Sequence, residues 1–374
     1  MRLHDDTLFA FRQALPDADT TVSTLMARFD VSNQVAFVSY RLEVRGGRSL
    51  LPREPVFPCI DRTVSYIYIG YLHEEKRRIK PAMSSFQDFI QFVFAGLTSG
   101  AIYAMVAVGF GVVHNTMGIV NFTQVDFVSL GGMFLFGALA TAHLPMAVAL
   151  PLAVAGVALT GALVEFLGLR PSRSRNRLVL IFLTIGLSIV LRGVMTKIWG
   201  KNSLAVPPLH GETPLTVLGA AIMPQAVWIL VVTAVAIALL VLFFRKTTAG
   251  LAMRAVASNP TAAAVVGLKV RRVRTASFAL AGALGGLAGV LVTPITTLRY
   301  DVGVLLGLKG FSAAILGGFG SFPGAIVGGI SLGLLESLGA GYVSSAWKDT
   351  IAFLVLLLVL FVRPQGLMGK AAGS

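Results

Sequence analysis

Cysteine is almost absent from this sequence, since Cys59 is the one thiol among 374 residues. A single thiol cannot form an intramolecular disulfide, and it cannot build a thiolate metal cluster. Histidine is also scarce, and no histidine stands at a zinc-binding or protease spacing from another. We therefore predict no catalytic residue, no metal and no bound cofactor in this chain. The histidines are His4, His73, His114, His143 and His210.

Charged residues are few for a chain of this length. They make up 13% of the sequence, whereas hydrophobic residues make up 55% and the mean hydropathy is +0.80. So few polar side chains cannot cover a water-exposed surface, and the composition predicts a protein with lipid as its solvent. The net charge of +14 fits this class, because membrane proteins accumulate Lys and Arg in cytoplasmic loops. We therefore expect no binding to nucleic acid.

The charges are concentrated near the start of the sequence. The first 82 residues hold 22 charged side chains, whereas the remaining 292 hold 26. We therefore divide the chain into a polar N-terminal extension, residues 1–82, and a membrane domain, residues 83–374. No basic stretch followed by a short apolar run and a cleavage site is present, so no signal peptide is predicted. Met83 lies shortly before the first long apolar run, which favours a start site assigned too far upstream over an accessory or disordered extension.

Long apolar runs fill the membrane domain. A helix needs about 20 residues to cross a hydrocarbon core of about 30 Å, and helices satisfy their own backbone groups in lipid. Residues 303–338 are too long for one crossing and are predicted to form two, separated at residues 317–324. The predicted fold is an all-α polytopic membrane helix bundle with about 8–10 transmembrane segments. The other runs cover residues 89–113, 119–142, 145–169, 178–199, 223–244, 275–298 and 347–362.

Basic residues indicate the orientation of the bundle. The loops at residues 170–177 and 245–274 are rich in Arg and Lys, so both are predicted to be cytoplasmic. Counting crossings from these loops places the turn at residues 299–301 outside and the C-terminus in the cytoplasm. If every predicted segment crosses, Asp88 lies outside, whereas the basic cluster at residues 76–80 favours the inside. The side of the N-terminus stays open on this argument.

Glycine recurs at spacings of three and four residues in the second half of the chain. Residues at that spacing share one face of a helix, where small side chains allow close approach of a neighbouring helix. Because glycine costs about 1 kcal/mol relative to alanine in a helix, its recurrence favours a packing role over mere exposure to lipid. The predicted packing residues are Gly282, Gly286, Gly289, Gly320, Gly324 and Gly328.

Polar residues interrupt the second apolar run at residues 121–126, which read NFTQVD. A carboxylate in mid-membrane costs roughly 2.5–3.5 kcal/mol on insertion scales, so Asp126 is predicted to face a protein or aqueous interior. Helical spacing places Asn121 and Gln124 near the same side. One interpretation is a substrate pathway formed by these three residues; the other is a helix end at the interface or interhelical hydrogen bonding. Glu336 raises the same question, and for it an interfacial position is favoured.

The basic loop at residues 245–274 contains a segment with helical character. Asn259 is a good N-cap residue, Pro260 suits the first helical position, and Gly267 suits the position after the last turn. A short cytoplasmic helix bounded by two membrane spans is typical of a docking element. The alternative is an interfacial helix that rests on anionic lipid. The candidate contact residues are Arg254, Ala255, Asn259, Pro260, Ala263 and Gly267.

Several motifs, in order along residues 86–370, resemble those of the permease subunits of branched-chain amino acid ABC transporters. Residues 307–311 read GLKGF, residues 317–325 read GGFGSFPGA and residues 363–367 read RPQGL. Further similarity lies at residues 250–270, at residues 277–289, and at Gly328 and Gly329 together with Glu336.

The resemblance implies an importer subunit, not an enzyme, in the bacterial cytoplasmic membrane. It further implies four partners besides the lipid bilayer: a second homologous permease, two cytoplasmic ATPase subunits that bind the ATP, and a periplasmic solute-binding protein. In this interpretation residues 254–267 form the coupling helix.

The NFTQVD segment is similar to the family motif Asn-Phe-Ala-(His/Gln)-Gly-Glu, with Val125 at the Gly position and Asp126 at the Glu position. These two departures bear on the identity of the solute and not on the fold. Branched-chain amino acids are the expected solutes, and urea, short amides or sugars are alternatives for the same machine. A secondary transporter or channel that works without ATP is a further alternative, although the helical cytoplasmic loop argues against it.

Overall fold

A computed structural model describes residues 25–30, 35–40, 42–43, 49–50, 85–172, 176–208, 213–217, 220–363 and 365–369. The chain separates into two compact units, Met1–Ala82 and Met83–Ser374. The described residues of the first unit form two antiparallel pairs of strands, β1 (Leu25–Asp30) with β2 (Val35–Tyr40) and β3 (Leu42–Glu43) with β4 (Ser49–Leu50). The rest of the predicted extension, including the basic cluster at residues 76–80, lies outside the described residues.

The second unit is built of helices, which confirms the predicted all-α membrane class. One short antiparallel hairpin, β5 (Leu215–Val217) with β6 (Ala220–Ile222), was not predicted from the sequence. The helices are α1 (Ser85–Met117), α2 (Gln124–Phe136), α3 (Met146–Leu163), α4 (Arg177–Trp199), α5 (Pro224–Lys246), α6 (Thr248–Ser258), α7 (Pro260–Val265), α8 (Val270–Val292), α9 (Val302–Gly317), α10 (Phe322–Tyr342) and α11 (Lys348–Val362). Helices α2 and α3 continue as the π-helical turns Gly137–Thr141 and Val164–Leu169.

Among the described residues, seven helices are long and apolar enough to cross a membrane. The long Gly-rich stretch divides into α9 and α10, as the sequence predicts. Helix α9 has 16 residues and is about 24 Å long, which is shorter than a hydrocarbon core of about 30 Å. Several helix ends differ from the predicted runs. Helix α1 extends beyond residues 89–113 at both ends, α2 begins at Gln124 and not at residue 119, and α8 covers Val270–Val292 and not residues 275–298.

The helices divide into central and peripheral groups. In α1 and α8, 67% of the most apolar window is buried inside the protein, whereas in α4 and α5 the share is 17% and 22%. The exposed side chains of the peripheral helices are apolar, for example Phe182 at 69% and Leu239 at 59% exposure. Such surfaces are compatible with lipid and not with water, so the outer helices form the lipid-facing wall.

Glycines permit the close contacts of α8. A methyl group at Gly282 would lie 2.6 Å from the carbonyl oxygen of Val157 on α3, and one at Gly286 would lie 2.8 Å from the Cβ of the same valine. Gly289 faces the other neighbour, α2, where a side chain would overlap the carbonyl of Val128. Helix α8 therefore packs between α2 and α3, with glycines on both contact faces.

Glycines have two different roles in the hairpin of α9 and α10. Within α10, Gly324 and Gly328 lie against the backbone of Gly317 on α9. Gly320 instead lies in the turn before α10, with φ of +91°, a left-handed conformation that glycine adopts without a steric penalty. The prediction that Gly320 belongs to a helix face was therefore wrong, because the turn interrupts the helical register.

Candidate functional site

The polar segment at residues 121–126 spans the turn before α2 and its first residues. Asn121 lies in the turn and not on the helix, and it is fully buried. Its side-chain Oδ1 accepts hydrogen bonds from the backbone N–H of Thr123 at 3.2 Å and from the Thr123 hydroxyl at 2.6 Å. Such local bonds are a common reason why asparagine favours turns over helices. The Asn121 Nδ2 has no partner among the described residues.

Gln124 is the first residue of α2 and is also fully buried. Its Nε2 donates a 3.1 Å hydrogen bond to the backbone carbonyl of Ala281 on α8, whereas its Oε1 has no partner among the described residues. Two glycines leave room for this side chain: Gly109 on α1 and Gly285 on α8. The amide therefore lies where three helices meet, and its Oε1 is unpaired within the described part of the chain.

Asp126 is fully buried as well, but its carboxylate is paired. Arg192 of α4 donates from Nε to Oδ1 at 2.8 Å, and the Ser188 hydroxyl donates to Oδ2. Arg192 also donates from Nη2 to the Ser188 hydroxyl oxygen at 2.7 Å. This network joins α2 to α4 and satisfies the carboxylate. Arg192 was not predicted from the sequence, although a cation inside an apolar run indicates a buried partner.

A second buried polar cluster lies far from residues 121–126 in sequence. Lys309 of α9 and Glu336 of α10 form an ion pair with an Nζ–Oε1 distance of 2.9 Å, and their side chains are 5% and 1% exposed. The Tyr103 hydroxyl of α1 donates to Glu336 Oε2 at 2.9 Å. The Glu336 carboxylate is therefore enclosed and paired within the protein, while its favoured position near the membrane interface stays a prediction. Lys309 in an otherwise apolar helix was the sequence signal that was missed.

The predicted coupling segment forms two short helices joined at Asn259. The Asn259 side chain accepts hydrogen bonds from the backbone N–H groups of Thr261 and Ala262, each at 3.0 Å, and Pro260 is the first residue of α7. Gly267 follows the last turn with φ of +87°. The cap geometry is thus the one that these residue types favour.

Of the six candidate contact residues in this segment, Ala263 is the buried one. Arg254 is exposed and Ala255 half-buried, but Ala263 is 4% exposed and packs towards the protein. The exposed apolar side chains are Val265 at 84% and Val266 at 76%. Ala263 is therefore unavailable for a partner's groove, because its helix turns that face inward, whereas the two valines are free to make such a contact.

Comparison with known proteins identifies the family of this chain. Residues 92–360 match the family described as the branched-chain amino acid transport system / permease component. The chain belongs to this family. Its members are transporter subunits and not enzymes, which agrees with the helical bundle of the membrane domain.

Three relatives illustrate the extent of the similarity within this permease family. The high-affinity branched-chain amino acid transport system permease protein LivH of Escherichia coli (strain K12) is 32% identical over 76% of this chain and 97% of its own length. The corresponding protein BraD of Pseudomonas aeruginosa is 31% identical over 77% and 98%. The probable branched-chain amino acid transport permease protein LivH of Methanocaldococcus jannaschii is 28% identical over 72% and 89%.

Proposed function

We propose that this chain is the membrane-spanning permease subunit of an ATP-driven importer that carries branched-chain amino acids across the bacterial cytoplasmic membrane. The family match and the names of relatives that this chain covers almost end to end support this proposal. The C-terminus is placed in the cytoplasm, on the same side as the basic loops.

One structural observation carries the assignment of the pathway. Asn121 and Gln124 are fully buried, yet Asn121 Nδ2 and Gln124 Oε1 lack partners among the described residues. Buried polar atoms are nearly always paired, so an unpaired donor and acceptor at a helix junction favour a site for water or a polar solute. We assign Asn121 and Gln124 to the substrate pathway. Asp126 serves this pathway by fixing α2 against α4 through Arg192.

The energy for transport has to come from other chains, because this sequence has no phosphate-binding loop of the form G-x-x-x-x-G-K-S/T. We assign ATP binding to two cytoplasmic ATPase subunits that dock on α6 and α7. A second, homologous permease completes the bundle, and a periplasmic solute-binding protein delivers the solute from outside. Closure of the ATPases then shifts the two permeases between outward-open and inward-open states, which is alternating access.

Uptake by membrane vesicles that contain the complete transporter tests this function. We expect ATP-dependent accumulation of radiolabelled leucine, isoleucine and valine when the binding protein is supplied on the periplasmic face. Vesicles without ATP are the control for passive entry. Accumulation of urea, a short amide or a sugar in place of leucine would contradict the assigned solute, and leucine uptake without ATP would indicate a secondary transporter or channel.

A further inference from the structure

Four charged side chains form a chain of ion pairs from the surface of the bundle to its interior. Asp349 Oδ1 lies 2.6 Å from Lys309 Nζ, and Lys348 Nζ lies 3.0 Å from Glu336 Oε1. Lys309 and Glu336 are enclosed, whereas the side chains of Lys348 and Asp349 are 47% and 52% exposed. The buried pair therefore has a solvent-accessible partner on each of its charges.

The two exposed partners have a distinctive chemistry. Lys348 and Asp349 are neighbours in sequence at the start of α11, so an ammonium group and a carboxylate group approach the buried pair together. The ammonium group contacts Glu336 and the carboxylate contacts Lys309, whose own charged atoms are 2.9 Å apart. An amino acid carries the same two groups on either side of a single carbon atom. It therefore offers the same pair of opposite charges to the same two receiving groups.

We propose that Lys309 and Glu336 bind the α-carboxylate and α-ammonium groups of an amino acid, and that Lys348 and Asp349 occupy this site when the solute is absent. This inference rests on the proposed function, since it names how the transported solute is recognised. The exposed residues are the exchangeable ones, because their side chains return to water at little cost when an amino acid displaces them. Glu336 and Lys309 cannot leave, because an unpaired charge inside the bundle is strongly unfavourable.

Residues around the pair support such an exchange. The Tyr103 hydroxyl holds Glu336 Oε2, which leaves Oε1 as the oxygen that the cations share. The Tyr103 ring also lies 5.7 Å from Lys309 Nζ, so the cation keeps a favourable contact while its anionic partner changes. One helical turn away, Ala313 and Leu332 are buried in the apolar core. Lys309 and Glu336 thus lie at the edge of an apolar interior. A solute with an aliphatic side chain needs such an apolar environment next to its charged groups.

The test measures leucine binding to the permeases with their ATPases in lipid nanodiscs, without the solute-binding protein. Removing the internal competitors, with Lys348→Ala and Asp349→Ala together, should lower the Kd for leucine by about threefold. Removing the receiving charges, with Lys309→Met and Glu336→Gln together, should raise it by roughly tenfold without leaving an uncompensated buried charge. Leucinamide and 4-methylpentanoate, which each lack one charged group, should bind more weakly than leucine to the unmodified protein.

A matched control is the exposed ion pair of Arg299 and Asp301, with an Nη2–Oδ2 distance of 2.7 Å. Alanine at both positions should leave the Kd unchanged. A Lys348→Ala/Asp349→Ala protein that binds leucine as the unmodified protein does, or less tightly, overturns the inference and indicates a purely structural network. This result decides the matter even if the Lys309→Met/Glu336→Gln protein fails to insert. Absence of leucine uptake by the unmodified transporter contradicts the proposed function itself, whereas normal uptake with an unchanged Kd in both double variants contradicts this inference alone.

Discussion

At the level of single side chains, the three candidate residues Asn121, Gln124 and Asp126 fall into two groups. Asp126 has both carboxylate oxygens engaged by partners on α4. Asn121 and Gln124 keep one unpaired atom each among the described residues. The pairing of Asp126 joins α2 to α4, whereas a buried polar atom without a protein partner favours contact with a solute or water. This difference separates the residues that support the site from those that line it.

The space around Gln124 gives a prediction with a matched control. Gly109→Ala places a methyl group on the Gln124 amide and should displace it from Ala281, at a cost of about 1–3 kcal/mol for overpacking. We expect leucine uptake to fall roughly tenfold, which is the rate change that corresponds to about 1.4 kcal/mol. The measurement is uptake in vesicles at equal amounts of transporter.

Gly111→Ala is the control, because it lies on the same helix and a methyl group there would be 3.6 Å from Phe322, an ordinary contact. Alanine favours the helix over glycine by about 1 kcal/mol, so this variant should be as stable as the unmodified protein or more so. Equal uptake by both variants would show that the position of Gln124 does not matter for transport.

Sequence alone reveals that a charge is costly in the membrane but not which residue pairs with it. Asp126 is predictable as an interior residue from that cost. Its partner Arg192 lies 66 residues further along the chain, and the pairing depends on how α4 is rotated against α2. The same holds for Lys309 and Glu336. Predicting such partners requires the packing of the helices and not only their boundaries.

At the level of secondary structure elements, the apolar runs predict where the helices lie in the sequence. They do not predict which face of each helix is buried. Asn259 and Pro260 predict the start of α7 because capping depends on local hydrogen bonds. The direction of Ala263 could not be predicted, because alanine is compatible with both a buried and an exposed face. Gly320 was assigned to a helix face for a related reason, since its glycine spacing continues the pattern of α10 into the turn that the sequence predicts at residues 317–324.

The exposed valines of the coupling segment give the second prediction. Val265→Asp and Val266→Asp together place two carboxylates on the surface that we assign to ATPase docking. Burial of an unpaired charge in an interface is strongly unfavourable, so the ATPases should no longer co-purify with the permease and uptake should be lost. The measurement is the yield of ATPase subunits recovered with tagged permease from detergent.

Val343→Asp is the control for this variant, since Val343 is 73% exposed and lies between α10 and α11, outside the coupling segment. It should leave ATPase recovery unchanged. Normal recovery of the ATPases with the double valine variant would contradict the docking role. It would favour the alternative, in which the helix rests on anionic lipid headgroups.

At the level of the whole molecule, the two units differ in composition and in their relation to known proteins. The family match begins at residue 92. The similarity to the Escherichia coli permease includes 76% of this chain and 97% of that permease. The helices, the buried polar residues and the coupling segment that carry the proposals all belong to Met83–Ser374.

The last prediction is that residues 1–82 are dispensable for insertion and transport. A chain that begins at Met83 retains all of α1, whose first turn carries Asp88, a favourable charge at a helix N-terminus. It also retains the basic loops that set the orientation of the bundle, whereas the basic cluster at residues 76–80, which favours the opposite orientation, is removed. We therefore expect the shortened chain to insert and to take up leucine at the rate of the full chain. The measurement is the amount of permease in purified membranes together with vesicle uptake per permease. Loss of insertion would assign residues 1–82 a role in folding or targeting, and normal insertion with lost uptake would assign them a role in transport.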